Sequence, residues 1–205
     1  MIKIFVEGKG DDKFLKSYLT FLENEIVLNT YEIIPTRGWT KIPKLVNLFQ
    51  ENTDAEGTNL IIFDADSFKN GGGFAKRKAQ LEAYKTTHQL EFELFLFPNQ
   101  QNDGDYETLL ENIINQEHSK LLTCFSQYEN CIENTVDEKN EPKYVLPIRK
   151  AKIYSYIDAF PKSRKQKERF KRGDFFFENE KYWNLKADYL KPLKDFLLHF
   201  LAKRQ

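Results

Sequence analysis

The first half of the chain alternates between two hydrophobic periods. Residues 2–6 (IKIFV) are a short apolar run that ends at Glu7-Gly8 and reads as a strand. Residues 11–23 (DDKFLKSYLTFLE) place Phe14, Leu15, Tyr18, Leu19 and Leu22 at i, i+3, i+4 spacing. That spacing predicts an amphipathic helix, with Asp11 or Asp12 as its N-cap. Residues 31–35 (YEIIP) read as a second strand, and residues 41–50 (KIPKLVNLFQ) as a helix with Pro43 in its first turn. Residues 59–63 (NLIIF) read as a strand buried on both faces. A helix rich in Lys and Arg is expected over 74–87. An alternating strand over 91–97 (EFELFLF) closes at Pro98, and a helix built on Leu109, Leu110, Ile113 and Ile114 covers 105–117.

The second half is less regular. Residues 126–142 are polar and read as a surface excursion, and residues 143–158 as a short strand followed by a helix. Residues 188–203 predict a closing helix, with Leu190, Leu193, Phe196, Leu197, Phe200 and Leu201 on one face. Strands that alternate with helices of this length form βαβ units, so the fold class is α/β with a mostly parallel sheet. A length of 205 residues suits a single domain over 1–205, with its core over about 1–120 and a helical or irregular C-terminal extension over about 121–205. Ligand sites in such sheets lie outside the carboxyl ends of the strands. Glu7, Asp64 and Asp66, and the stretch from Asn99 to Glu107, all follow strands and should share that edge.

Composition narrows the chemistry. Lys plus Arg and Asp plus Glu are equal at 31 each, so binding to a polyanion must come from local patches rather than from net charge. Two cysteines, Cys124 and Cys131, with three histidines make no zinc pattern and read as reduced thiols. No leader segment is read at the N-terminus, and no run approaches the ~18 apolar residues of a membrane span. The expectation is a cytoplasmic protein with no membrane partner.

Candidate chemistry gathers at the strand ends. In an extended segment, residues i and i+2 point the same way, so Asp64 and Asp66 of "NLIIFDADSF" are expected to face one ion. Oxygen-only ligands suit Mg²⁺ or Mn²⁺. Asp-x-Asp pairs also cap helices and turns, so the pair gains weight only beside Glu7-Gly8.

The combination of Glu7-Gly8 after the first strand and Asp64-Ala65-Asp66 after the third resembles the TOPRIM domain. That family includes topoisomerases, bacterial primases, recombination-mediator proteins and overcoming-lysogenization-defect nucleases. "VEGKGDDKFL" is most similar to the nuclease-type and small stand-alone members, with Asp11 on their aspartate. "FPNQQNDGDYETLLENI" resembles their later stretch, with Glu107 on its acidic position. The resemblance covers roughly residues 1–120 and implies a Rossmannoid, doubly wound TOPRIM-like core. It further implies a Mg²⁺-dependent enzyme, most simply a small nuclease, cleaving phosphodiester bonds of nucleic acid, DNA ahead of RNA. Asp64 and Asp66 would hold a first ion. Glu7 would serve as ligand or general base, and Asp11 and Glu107 would complete a second site. Asp11 and Glu107 have equally good local roles, as an N-cap and as a first-turn Glu facing the helix dipole. Lys9, Arg77, Lys150 and Lys152 are candidates for the phosphate, and the resemblance favours Lys152 as the catalytic cation. The alternatives are a non-catalytic module that binds nucleic acid or a partner protein, and a phosphohydrolase acting on nucleotides.

Two further stretches carry weaker signals. "NGGGF" at 70–74 lacks the Lys-Ser/Thr of a P-loop and reads as a flexible turn over the site. Residues 162–172 (KSRKQKERFKR) hold seven Lys or Arg and one Glu. Their neighbours Tyr154, Tyr156, Phe160, Phe170 and the run at 174–177 make either a nucleic-acid platform or plain core packing.

Overall fold

In the computed structural model, which describes residues 1–68 and 71–203, the alternating periods become a four-stranded all-parallel sheet. The strands are β1 (Ile2–Val6), β2 (Tyr31–Pro35), β3 (Thr58–Asp64) and β4 (Glu93–Phe97). Their order is β2-β1-β3-β4. The chain therefore winds outward from β1 to β2, then crosses to the other side for β3 and β4. The two windings part between β1 and β3, the topological switch point at which such sheets bind ligands. In that register Val6 stands opposite Ile62, which brings Glu7 level with the end of β3.

Helices cover both faces. Side chains of successive strand residues alternate. Phe5, Ile61, Phe63 and Leu96 face α2 (Val46–Asp54) and α3 (Phe74–Thr87), where they meet Phe49 and Leu81. Phe5 stacks on Phe49 with ring centroids 3.9 Å apart. Burial of an aromatic ring of this size contributes about 1.5–3 kcal/mol. The opposite face meets α1 (Lys9–Glu23), whose buried Phe14, Leu15, Tyr18, Leu19 and Leu22 are the predicted stripe. Phe97 and Phe14 both pack on Tyr106, which opens α4 (Tyr106–Asn112).

The edge where the strands begin is held by two buried amides. Asn59 Nδ2 donates to the carbonyls of Phe49 (3.1 Å) and Glu91 (3.0 Å) and to Thr53 Oγ1 (3.1 Å). Asn52 Nδ2 donates to the carbonyls of Met1 and Thr58 and to Asn59 Oδ1 at 3.0 Å. Gly57 is required beside them, because a Cβ there would lie 2.5 Å from Asn52 Oδ1 and 2.6 Å from the Met1 carbonyl.

Contacts divide the chain into two compact units, residues 1–109 with 185–205, and residues 110–184. The closing helix α8 (Lys191–Leu201), read from sequence as part of the extension, belongs to the first unit. There Phe196 packs on Phe95 of β4 at 5.4 Å, and the Leu201 carbonyl accepts from Asn29 N–H at 2.7 Å. The second unit contains α5 (Ser119–Glu133), α6 (Ala151–Asp158) and α7 (Arg164–Lys171). Its core is aromatic. Tyr156 packs on Phe160 and Trp183, and its hydroxyl donates to the Tyr182 carbonyl at 2.6 Å. Phe176 and Phe177 are buried, so that part of the Phe run is core.

Several expected elements change shape. The helix predicted over 41–50 is a 3-10 turn at Trp39–Leu45 followed by α2, so Pro43 lies in the 3-10 segment, since its missing N–H and its ring disfavour an α-helix interior. The helix predicted over 105–117 stops at Asn112. Asn115 then opens a new 3-10 turn, its side chain accepting from Glu117 N–H at 3.1 Å. The polar stretch read as a surface excursion is helical up to Glu133. Cys124 and Cys131 are exposed free cysteines on that helix. No strand forms in the described residues 143–150. Among the described residues, no helix is long and apolar enough to cross a membrane.

Candidate functional site

The parallel pairing of β1 with β3 brings the two acidic strand ends together. Glu7 Oε1 accepts from the backbone N–H of Asp64 at 3.3 Å. Asp11 turns back on the entry to α1, where its Oδ2 accepts from Gly8 N–H at 2.7 Å. The helix begins earlier than expected, at Lys9, so Gly8 rather than Asp11 or Asp12 is its N-cap, and Asp11, 7% exposed, is the third helical residue that reaches back to the cap. Asp64 Oδ1 accepts from Tyr106 N–H at 2.8 Å and so caps the first turn of α4. Glu107, buried, follows in that turn.

Asp66 departs from the expected extended geometry. Its φ is +61°, in the left-handed region that few non-glycine residues adopt. The backbone around it enforces this turn. Gly104 N–H donates to the Asp66 carbonyl at 2.9 Å, and Gly73 N–H donates to the Ala65 carbonyl at 2.9 Å. Gly72 packs so closely that a Cβ would lie 2.3 Å from the Asp66 Cβ. Gly72 and Gly73 of "NGGGF" therefore buttress the Ala65–Asp66 turn, and Asn70 lies outside the described residues. With the i, i+2 alternation broken, the two aspartates take different partners. The Asp66 carboxylate pairs with the guanidinium of Arg77, which is 3% exposed and lies 4.2 Å over the Trp39 ring.

Arg77, a candidate cation for the phosphate, is here the counter-ion of Asp66, a role that the sequence reading missed. The signal was present, since a basic residue in the first turn of the helix after a strand-end carboxylate returns to that strand end. Lys152 lies in the second unit, where it pairs with Glu111 at 3.1 Å and approaches Glu129 at 4.0 Å. Lys9 and Lys150 are exposed.

The electrostatics of the edge are strained. Burial pushes the Glu7 carboxyl up to about 7, and the charges of Asp66 and Asp11 add to this, while Arg77 and the Asp64 N–H oppose it. Burial, then Asp11, Glu7 and Glu107, hold Asp64 well above the usual carboxylate range, against the Tyr106 N–H. The Tyr106 hydroxyl is raised by burial and by Asp11, Glu107 and Asp64, and this buried oxygen has no hydrogen-bond partner among the described residues. Desolvated carboxylates with one neighbouring guanidinium lack positive charge, and a cation is the usual remedy.

The donor chemistry fits a hard cation, being oxygen only. The present hydrogen bonds do not gather the donors into a ligand set. Among the described residues, no group of three His, Cys, Asp or Glu is arranged to hold a metal ion. Asp66 is taken by Arg77, Asp64 by Tyr106 and Asp11 by Gly8.

No curated protein and no solved structure matches the chain. One family model, that of DUF3226, described as a protein of unknown function, matches residues 1–202, and the chain belongs to that family.

Proposed function

We propose that the chain is a TOPRIM-like, Mg²⁺- or Mn²⁺-dependent enzyme that cleaves phosphodiester bonds in nucleic acid at the carboxyl edge of its sheet. The observation that carries this reading is the contact of Glu7 with the Asp64 backbone at the switch point, among carboxylates whose proton affinity is raised by burial and mutual repulsion. Glu7, Asp64 and Asp66, with Asp11 and Glu107 beside them, would hold the cation. When bound, such an ion supplies Lewis-acid stabilisation of the phosphate and an acidified water. Glu7, with a carboxyl pushed up to about 7, is suited to take a proton from an attacking water near neutral pH. Asp66 must leave Arg77 to join a ligand set, and the freed guanidinium then lies within reach of the same edge.

One observation favours a second reading, a non-catalytic nucleic-acid- or protein-binding module. The Arg77–Asp66 pair supplies from within the protein the positive charge that a metal would bring. Calorimetric titration of Mg²⁺ and Mn²⁺ into wild type and Asp64→Ala, with nicking of supercoiled plasmid in the same buffers, separates the two. The enzyme reading expects metal binding and nicking, both lost in Asp64→Ala and in Asp64→Ala/Asp66→Ala. No heat of metal binding and no nicking by wild type, with or without DNA, would leave the module reading standing.

A further inference from the structure

We infer that the second unit carries a binding groove for single-stranded nucleic acid, formed by the end of α6 and the basic face of α7. It rests on the reading above only for the kind of ligand, since its residues lie entirely within 110–184. The groove has a volume of about 710 Å³ and is lined by Phe160, Lys162, Lys167, Phe170 and Lys171, with Asp158 at its rim. That volume lies within the usual range for a small-ligand site.

The walls are built around Lys162. Its ammonium donates to the carbonyls of Ile157 and Phe160, the latter at 2.9 Å, and so closes the C-terminus of α6. It also lies 4.8 Å over the Phe170 ring, which Tyr154 flanks at 5.7 Å. Lys162 is thus a fixture that positions an aromatic wall.

The cations that remain available are on α7. Ser163 caps this helix reciprocally with Gln166, so the segment is ordered. Lys167 and Lys171 line the groove four residues apart, about 6 Å along the axis. Lys167 is exposed, and its ammonium has no hydrogen-bond or ion-pair partner among the described residues. Lys171 meets Glu168 at 3.0 Å, but both side chains are more than half exposed, and such pairs yield readily. Arg169 is committed elsewhere, to Asp174 and Glu178.

Exposed ammonium groups beside half-buried rings match a ligand that alternates phosphates with flat bases. Duplex DNA keeps its bases stacked and unavailable to Phe170. An anionic membrane needs an apolar helix face to enter, and α7 (RKQKERFK) has one apolar residue, Phe170.

The test is fluorescence anisotropy of a labelled oligothymidylate of about 20 nucleotides, in EDTA, against the full chain. Wild type should bind, with affinity falling as salt rises. Lys167→Glu/Lys171→Glu should weaken binding at least tenfold and flatten the salt dependence by about 1.4 in log–log slope. Phe170→Ala should weaken it roughly tenfold and Phe170→Tyr should restore it, with circular dichroism confirming the fold of each. Because EDTA strips any cation from the carboxylates, oligonucleotide binding by wild type that persists while Mg²⁺-dependent nicking fails leaves this inference intact and the carboxylate reading not. No binding by wild type, equal binding by the double lysine variant, or binding of phosphatidylserine vesicles in place of the oligonucleotide would overturn the inference.

Discussion

The two edges of one sheet are built on opposite terms. Where the strands begin, the buried amides of Asn52 and Asn59 are neutral and occupied. Each of the two amide nitrogens has three acceptors between 3.0 and 3.3 Å away. Where the strands end, buried acids lie in one another's field beside one guanidinium, and a tyrosine hydroxyl has no partner among the described residues. A protein has no stability reason to bury such a set. Neutral amides that close a hydrogen-bond network specify a fold, whereas unbalanced charges at a strand edge indicate that something else completes them.

The contrast can be broken most severely at its stable end. Asn59→Ala leaves two carbonyls and the Thr53 hydroxyl without their donor and removes an acceptor from Asn52. It should lower unfolding free energy by about 3 kcal/mol in urea titration, nearly independently of pH. Next comes Arg77→Met, which deprives Asp66 of its counter-ion and Trp39 of its cation. A loss of about 2 kcal/mol is expected in urea titration at pH 7, and a smaller loss in Arg77→Lys, which keeps the charge, would tie the effect to charge.

Glu7→Gln should act in the other direction. A carboxyl raised from 4.5 to about 7 binds a proton in the folded state that the unfolded state has already released. Stability is therefore fully present below about pH 4.5 and is lost as pH rises toward 7. The amide removes that slope, keeps an acceptor for the Asp64 N–H, and should gain roughly 1–2 kcal/mol at pH 8. A thermal-melt series from pH 4 to 8 on both proteins checks it. The smallest effect is the baseline. Lys16→Ala breaks an exposed pair with Asp12 on α1 and should change stability by less than about 0.5 kcal/mol.

The parts of this contrast that could be read from the sequence are those set by local periodicity. Strand β1, the apolar stripe of α1 and the run Leu60–Phe63 of β3 announce themselves because burial follows a period of two or of 3.6 residues. Parallel order then placed Glu7 beside Asp64 without further information. The orientation of Asp66 was not legible, because its left-handed turn is imposed by Gly72 and Gly104, whose approach is tertiary. The Asn52–Asn59 clamp was passed over for a related reason. A polar residue opening an apolar strand signals that partners exist, but not that they come from Phe49, Thr53 and Glu91. The second unit was the least legible, since α5 presents no fully buried residue to set its rhythm.

The return of α8 to the first unit bears on how this protein is made. Translation completes β4 at Phe97, yet the ring that covers Phe95 is Phe196, and the Leu201 carbonyl that receives Asn29 N–H comes later still. A nascent chain halted before Leu185 has four finished strands and an uncovered apolar face. Until α8 emerges, that surface is exposed to the aggregation to which such unfinished folds are prone.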